Sequence, residues 1–253
     1  MSINPFSLEG KTAIVTGANT GLGQGMAIAL AEAGADVCVV GRSEPSETLD
    51  KLAATGRKLH SILADLGSAD SVEAIVSDAK SALGGIDILV NNAGIIKRND
   101  SIDFTFDEWD SVMNVNLRTL FFLSQAVARE MIAADTGGKI INIASMLSFQ
   151  GGIRVPSYTA SKSGVAGLTK ILANEWAKHG INVNAIAPGY FATNNTAALQ
   201  ADETRNKEIL GRIPSGRWGK PSDLGGAAVF LASSASDYVQ GITLPVDGGW
   251  LAR

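Results

Sequence analysis

The chain has 253 residues, of which 45% are hydrophobic, and its formal net charge of −4 is not accompanied by a basic stripe. A chain of this length suits one large α/β domain or two small ones, and its charge argues against nucleic acid or a membrane surface as a partner. Its single cysteine, Cys38, cannot form an intrachain disulfide and suits the reducing cytoplasm, where we expect the protein to work. No apolar stretch is long enough to span a bilayer, residues 1–11 lack a signal-peptide pattern, and the two histidines share no metal-ligand spacing, so no metal is expected.

Short apolar runs bounded by turn residues alternate with helical patterns along the whole chain. The helical patterns include residues 22–33, 68–83, 105–133 and 158–178, and no Pro/Ser-rich linker interrupts the alternation. This order predicts a single α/β domain over residues 1–253, a doubly wound, Rossmann-type parallel sheet with helices on both faces. The predicted strands are residues 12–16, 36–40, 59–64, 86–91, 139–144, 181–187 and 243–246.

A glycine-rich turn follows the first predicted strand and precedes an alanine-rich helical pattern. Glycines permit a tight turn and a close backbone approach to a pyrophosphate, and the helix N-terminus offers it free N–H groups. Strand, glycine turn and helix together predict a dinucleotide site, although the spacing is G-x-x-x-G-x-G rather than the common G-x-G-x-x-G. The turn residues expected at the cofactor are Gly17, Asn19, Thr20, Gly21, Leu22 and Gly23.

Further polar or glycine-containing segments follow the ends of other predicted strands. In parallel sheets, ligands bind outside the carboxyl ends of the strands, so these segments indicate one shared site. They are Asp65 with Leu66, the segment Asn91-Asn92-Ala93-Gly94, Ser145, and Pro188-Gly189. Residues 190–214, here called the lid segment, form the longest stretch without a clear pattern, and their position after a strand favours a substrate lid over a surface helical excursion.

Tyr158 and Lys162 stand four residues apart in a predicted helix and therefore share one face. An ammonium beside a phenol favours the phenolate and lowers the phenol pKa, which suits general acid–base chemistry. Ser145 can hydrogen-bond the same substrate oxygen. A Y-x-x-x-K pair alone is often two solvated helix residues. The prediction that this pair is catalytic rests on its occurrence together with the glycine turn.

Taken together, these motifs resemble the short-chain dehydrogenase/reductase family, and they occur in the family's order over essentially the whole chain. The resemblance implies a catalytic tetrad of Asn116, Ser145, Tyr158 and Lys162, with Asn116 anchoring a water for proton relay; its alternative is an asparagine bonding locally within a helix. It implies further cofactor contacts from Asn92, Ala93, Gly94, Tyr158, Lys162, Pro188, Gly189, Phe191 and Thr193. It also implies a homotetramer that pairs the helices predicted at 105–133 and 158–178.

The expected cofactor is NAD, with NADP left open. Sites that prefer NAD usually place an acid at the end of the second strand, where this chain has Gly41-Arg42. The missing acid removes repulsion toward a 2′-phosphate, and Arg42 could pair with that phosphate. The resembled subfamily uses NAD and need not have an acid there.

The substrate expectation also comes from a closer resemblance, to a subfamily that acts on deoxy-keto sugar acids in pectin and uronate breakdown. Arg98 and Arg154 are candidate ligands of the carboxylate, each with a surface or interface arginine as its alternative. Gln150, Asn194 and Asn195 are candidate partners of substrate hydroxyls. Two other functions stay open: reduction of another carbonyl, such as a gluconate-type polyol, a 3-oxoacyl thioester or a steroid, and dinucleotide sensing without catalysis.

Overall fold

A seven-stranded sheet forms the middle layer of the protein in the computed structural model, which describes residues 4–253. Its strands are β1 (Thr12–Thr16), β2 (Asp36–Gly41), β3 (Leu59–Leu63), β4 (Ile88–Asn91), β5 (Gly138–Ile143), β6 (Ile181–Pro188) and β7 (Thr243–Val246). They lie in the order β3-β2-β1-β4-β5-β6-β7, and all neighbouring pairs are parallel. The chain reverses its direction of travel between β1 and β4, which is the switch point where such sheets bind ligands.

Helices cover both faces of this sheet. They are α1 (Gly21–Glu32), α2 (Ser46–Ala53), α3 (Val72–Leu83), α4 (Phe106–Met113), α5 (Leu120–Ala134), α6 (Pro156–Trp176), α7 (Ala197–Ala201), α8 (Glu203–Arg212) and α9 (Gly225–Ala232). A π-helical segment, Asn114–Thr119, joins α4 to α5. The predicted doubly wound fold is confirmed.

The alternating side chains of β1 show how one strand serves two cores. All five of its residues are buried. Ala13 and Val15 pack in the cluster that holds α1 and α9, whereas Ile14 packs in the cluster that holds α3, α5 and α6. Successive strand side chains point to opposite faces, so a strand covered on both faces needs apolar side chains on both of them.

The lid segment differs most from its prediction as a patternless stretch. It folds largely as a short 3₁₀ turn, Asn194–Thr196, followed by α7 and α8. Asp202 caps α8 by accepting a hydrogen bond from the Arg205 N–H at 3.0 Å. Ile209 is the one buried residue of α8, which leaves too little apolar periodicity for the sequence to predict the helix.

Smaller differences lie at helix ends. The 68–83 pattern begins with a 3₁₀ turn before α3, and the 158–178 pattern begins two residues early, at Pro156. Proline fits this first helical position because its missing N–H would have no partner there. Within residues 4–253, no helix combines the length and apolarity that a bilayer crossing requires.

Candidate active site

A cleft of about 1310 Å³ runs along the carboxyl ends of the strands. It exceeds the usual range of about 300–1,000 Å³ for small-molecule pockets, so it has room for a dinucleotide and a small substrate together. The predicted residues on its wall are Gly17, Asn19, Thr20, Gly21, Leu22, Arg42, Asp65, Leu66, Asn92, Ala93, Gly94, Arg98, Ser145, Gln150, Arg154, Tyr158, Lys162, Pro188, Gly189, Phe191, Thr193, Asn194 and Asn195. Gly23 and Asn116 are not on the wall and act from behind it.

The glycine turn is shaped by close backbone packing. Gly17 has a φ of +63°, and a Cβ there would lie 2.8 Å from the Cα of Ala93. A Cβ on Gly23 would overlap the Asn92 side chain and the Gly17 carbonyl, so Gly23 serves the packing of α1 against the turn. Thr20 precedes α1 in an extended conformation and makes no side-chain cap, which leaves the first N–H groups of α1 without a side-chain partner.

Asn92 and Thr16 fasten this turn to the end of β4. The Asn92 side-chain amide donates to the carbonyl oxygens of Thr16 at 2.9 Å and Gly17 at 3.0 Å. In return, the Thr16 hydroxyl accepts from the N–H groups of Asn92 and Ala93, both at 3.0 Å. Two segments far apart in sequence therefore form one rigid cradle.

At the end of β2, the Asn19 side chain fills the space that the acidic residue of an NAD-preferring site would need. A Cβ on Gly41 would overlap the side-chain amide of Asn19, which donates to the Ser43 carbonyl and, at 3.1 Å, to the Ser43 hydroxyl. Arg42 is exposed on the cleft wall beside them. Asp65 lies across the same end and accepts from the Gly67 N–H at 2.9 Å.

Tyr158, Ser145 and Lys162 converge near the middle of the cleft. Ser145 lies two residues after the end of β5 and caps the following 3₁₀ turn by accepting from the Leu147 N–H at 3.2 Å. Lys162 is buried, and its Nζ donates to the Ile143 carbonyl at 2.6 Å while lying 5.7 Å from the centroid of the Tyr158 ring. The predicted i, i+4 arrangement on α6 is present.

The pKa of Tyr158 differs from its prediction. Burial raises it above its ordinary value, although a hydrogen bond with the Ser145 hydroxyl and the charge of Arg98 act in the opposite direction. The expectation that Lys162 would lower this pKa is wrong for the protein alone, because the ammonium is tied to Ile143 and is not a cause of the shift. Burial also lowers the pKa of Lys162 itself, to about 8.

Asn116 holds the loop that follows the Asn91–Gly94 segment. Its Oδ1 accepts from the Ile95 N–H at 2.8 Å, and its Nδ2 donates to the Ile95 carbonyl at 2.9 Å and to the Ser161 hydroxyl at 3.3 Å. The residue is fully buried in the π-helical segment, and such segments often mark functional sites. The local-bonding alternative is wrong, since these partners lie 21 and 45 residues away.

The loop after β6 supplies the opposite wall. Gly189 donates its N–H to the Val246 carbonyl at 2.9 Å, and a Cβ there would lie 2.6 Å from the Cα of Asp247. Phe191 is buried against Gly219. The Thr193 methyl faces Gly21 of the glycine turn, so this loop closes over the cofactor end.

The predicted substrate residues do not share one environment. Arg154 has a φ of +62° and pairs with Asp100 at 3.0 Å, so its guanidinium already faces a carboxylate. Arg98 is exposed on the wall and close enough for its charge to act on Tyr158. Asn194 and Asn195 are exposed at the start of the lid turn.

Sequence reasoning missed Arg205, Arg212 and Trp250, which also line the cleft. Arg212 stacks on the Trp250 ring at 4.1 Å and donates to the Gln150 side chain at 3.3 Å. The i, i+3 spacing of buried Ile209 and Arg212 could have placed Arg212 on an inward face, had α8 been predicted. Nothing in the local sequence indicates that Arg212 contacts Trp250.

Comparisons with known proteins agree with this geometry. A short-chain dehydrogenase family model described as Enoyl-(Acyl carrier protein) reductase matches residues 17–251. The 2-dehydro-3-deoxy-D-gluconate 5-dehydrogenase of Escherichia coli (strain K12) is 63% identical over 253 residues, and that of Dickeya dadantii (strain 3937) is 64% identical, each alignment covering 100% of both chains. A crystal structure from Agrobacterium tumefaciens, described as a 2-deoxy-D-gluconate 3-dehydrogenase with bound NADP, is 61% identical with a TM-score of 0.95, covering 99% of this chain and 100% of that one. The protein therefore belongs to the short-chain dehydrogenase/reductase family of nicotinamide-dependent oxidoreductases.

Proposed function

We propose that the protein is a 2-dehydro-3-deoxy-D-gluconate 5-dehydrogenase that uses NADP, built as one catalytic domain over residues 1–253. The observation that carries the proposal is the meeting of Tyr158, Ser145 and Lys162 with a dinucleotide cradle in one cleft. Full-length similarity to two enzymes of this name supports the choice of substrate.

The chain's own residues transfer the proton of the oxygen at C5 of the sugar acid. Tyr158 donates a proton to the C5 carbonyl oxygen during reduction and removes it from the C5 hydroxyl during oxidation. Ser145 donates a hydrogen bond to the same oxygen and stabilises the charge that develops on it. When bound, the nicotinamide ring carries the hydride, and Lys162 holds its ribose from the floor of the cleft. Asn116 fixes the Ile95 backbone and thereby the wall beside Lys162.

The preference for NADP rests on the end of β2. Gly41 and Asn19 leave no space for the acid that would hold a ribose 2′-hydroxyl, and Arg42 supplies a cation instead. A 2′-phosphate is a good partner for a guanidinium, which matches its oxygens with two donors. The related Agrobacterium tumefaciens structure contains NADP, which supports this proposal over the NAD expected from sequence alone.

The lid segment completes the substrate end. Tyr190, Asn194 and Asn195 lie on the cleft wall, and α8 contributes Ile209 and Arg212 to it. Polar groups of Asn194, Asn195 and Gln150 bind the hydroxyls, while arginines attract the carboxylate. Closure of such segments excludes water from the reacting carbon.

The test is a substrate assay on the purified protein. We expect 2-dehydro-3-deoxy-D-gluconate to be oxidised with NADP⁺ faster than with NAD⁺ at limiting cofactor, and 2,5-diketo-3-deoxygluconate to be reduced with NADPH. D-gluconate, a 3-oxoacyl thioester and a steroid ketone serve as competing substrates, and Tyr158→Phe serves as the blank. A higher kcat/KM for any competing substrate would overturn the proposed substrate.

A second copy of the chain is the proposed partner. A groove of about 580 Å³ separates the π-helical segment and α5 from α6, with Phe122 and Ile171 half-exposed in it. Gly167 has open space above its Cα, so another helix can approach closely. Two-fold pairing across this groove, repeated at a second face, gives the homotetramer.

Light scattering at micromolar concentration measures this assembly. We expect a tetramer for the wild type and a smaller species for Phe122→Glu or Ile171→Glu, because each places a charge in the groove. Tyr238→Glu is the control, since Tyr238 is fully exposed and outside the groove. A monomeric wild type would refute the assembly and leave the proposed chemistry intact.

A further inference from the structure

An aromatic and apolar cluster joins the lid segment to the C-terminal tail. Ile209 and Ile213 pack with Met146 and Trp250 in one buried group. The Tyr190 ring lies 4.7 Å from that of Trp250. Trp250 itself is 5% exposed, so its position is fixed by packing on several sides.

Arg212 is presented to the cleft by this cluster. Its guanidinium stacks at 4.1 Å from the Trp250 ring, and its Nη2 donates to the Gln150 Oε1 at 3.3 Å. The Trp250 Nε1 donates to that same oxygen at 3.4 Å. A guanidinium has five donors in a rigid plane, so one bond to Gln150 orients the group and leaves further donors for a ligand.

Four arginines line the substrate end of the cleft, and they differ in whether a carboxylate of the protein already pairs with them. They are Arg98, Arg154, Arg205 and Arg212. Arg154 pairs with Asp100 at 3.0 Å, and Arg205 pairs with Glu208 at 2.6 Å. Among the ion pairs formed by residues 4–253, none includes Arg98 or Arg212. These two are therefore the cations at this end with charge left for a bound carboxylate.

Their positions suggest different tasks. Arg98 is near enough to lower the pKa of Tyr158, so it stands at the reacting end. Arg212 is exposed at the other end, where the Trp250 ring and the Gln150 side chain fix its guanidinium. A substrate that reacts at C5 and is charged at C1 needs its second anchor away from the phenol.

We infer that Arg212, held in place by Trp250 and Gln150, binds the C1 carboxylate of the substrate and selects sugar acids over neutral sugars. The inference rests on the proposed function and deepens it. Trp250 and the Gln150 Oε1 position the guanidinium plane, and the amide nitrogen of Gln150 is the group that binds a substrate hydroxyl.

The test compares acids with matched neutral molecules. For turnover, 2-dehydro-3-deoxy-D-gluconate is paired with 3-deoxy-D-erythro-hexos-2-ulose, in which an aldehyde replaces the carboxylate. For binding, D-gluconate is paired with D-glucitol, and affinity for the NADP⁺-loaded protein is measured by calorimetry. The variants are Arg212→Ala, Arg212→Lys and the control Arg129→Ala, at an exposed arginine of α5 that pairs with Glu73 at 3.9 Å outside the cleft.

We expect Arg212→Ala to raise the KM for the acid by about 10- to 100-fold, as for loss of a hydrogen bond to a charged group, while kcat stays within about threefold. Turnover of the neutral hexosulose should be unaffected, Arg212→Lys should give an intermediate KM for the acid, and Arg129→Ala should resemble the wild type. Equal losses for acid and neutral molecule, or no loss for the acid, would overturn the inference. If the wild type does not oxidise the sugar acid, the proposed function fails, and a lost preference for D-gluconate over D-glucitol in Arg212→Ala still decides the role of Arg212.

Discussion

Replacing Arg42 with alanine tests how the protein chooses between its two possible cofactors. Arg42 is exposed on the cleft wall, and none of the ion pairs in the described part of the chain includes it. Its loss should therefore remove a phosphate contact without leaving a carboxylate unpaired. Hydrogen bonds to charged groups contribute about 1.5–3 kcal/mol, and solvent screening places an exposed one in the lower half, at about 1.5–2 kcal/mol. This corresponds to about a 10- to 30-fold weaker binding of NADPH.

NADH lacks the 2′-phosphate, so Arg42→Ala should change its affinity by less than about threefold, well below the loss of one charged hydrogen bond. Titration of cofactor fluorescence at low and high salt measures both dissociation constants and the screened part of the effect. Arg129→Ala is the matched control, because Arg129 is exposed on α5 and pairs with Glu73 at 3.9 Å, outside the cleft. Equal weakening of NADPH and NADH would refute the assignment of Arg42 as a phosphate ligand.

Two further substitutions test the chemistry. Tyr158→Phe should lower kcat by at least about 100-fold, the usual cost of removing a general acid, while cofactor affinity persists; a tenth of wild-type kcat would contradict the role. Arg98→Met should move the rising limb of the pH profile for oxidation to higher pH, because the charge of Arg98 lowers the pKa of Tyr158 and oxidation needs the deprotonated phenol. A limb that stays in place in kcat/KM measured from pH 7 to 11 would show that Arg98 does not act on Tyr158.

The fold is largely predictable because strands buried on both faces appear as uninterrupted apolar runs. All residues of β1 and β6 are buried, and both were located within a residue of their ends, although Asn182 and Asn184 interrupt the apolar run of β6. α8 escapes prediction for the opposite reason. It is mostly polar and exposed, Ile209 is its one buried residue, and its position depends on packing against the C-terminal tail.

The positions of the catalytic residues can be predicted from the sequence, but their pKa values cannot. The spacing of Tyr158 and Lys162 follows from helix geometry, so the sequence suffices to bring them together. Whether the phenol pKa rises or falls depends on burial and on where the ammonium points, and these are properties of the folded protein. Here the Ile143 carbonyl holds Lys162, and burial dominates at Tyr158. The protein alone therefore favours the protonated phenol, the form that donates a proton to a carbonyl.

The two ends of the cleft are built by different means. At the cofactor end, each residue follows a strand, so the sheet itself places the Gly17 turn, the Asn92 segment and Gly189. At the substrate end, Gln150 contacts Arg212 across 62 residues and Trp250 across 100 residues, through side chains of a loop, a helix and a tail. Substitutions in α8 and the tail can alter the bound sugar without moving the proton chemistry, because Tyr158 stands on α6 and not on either of these segments. Substrate selectivity can therefore vary on a constant catalytic frame, which is why the fold alone does not determine it.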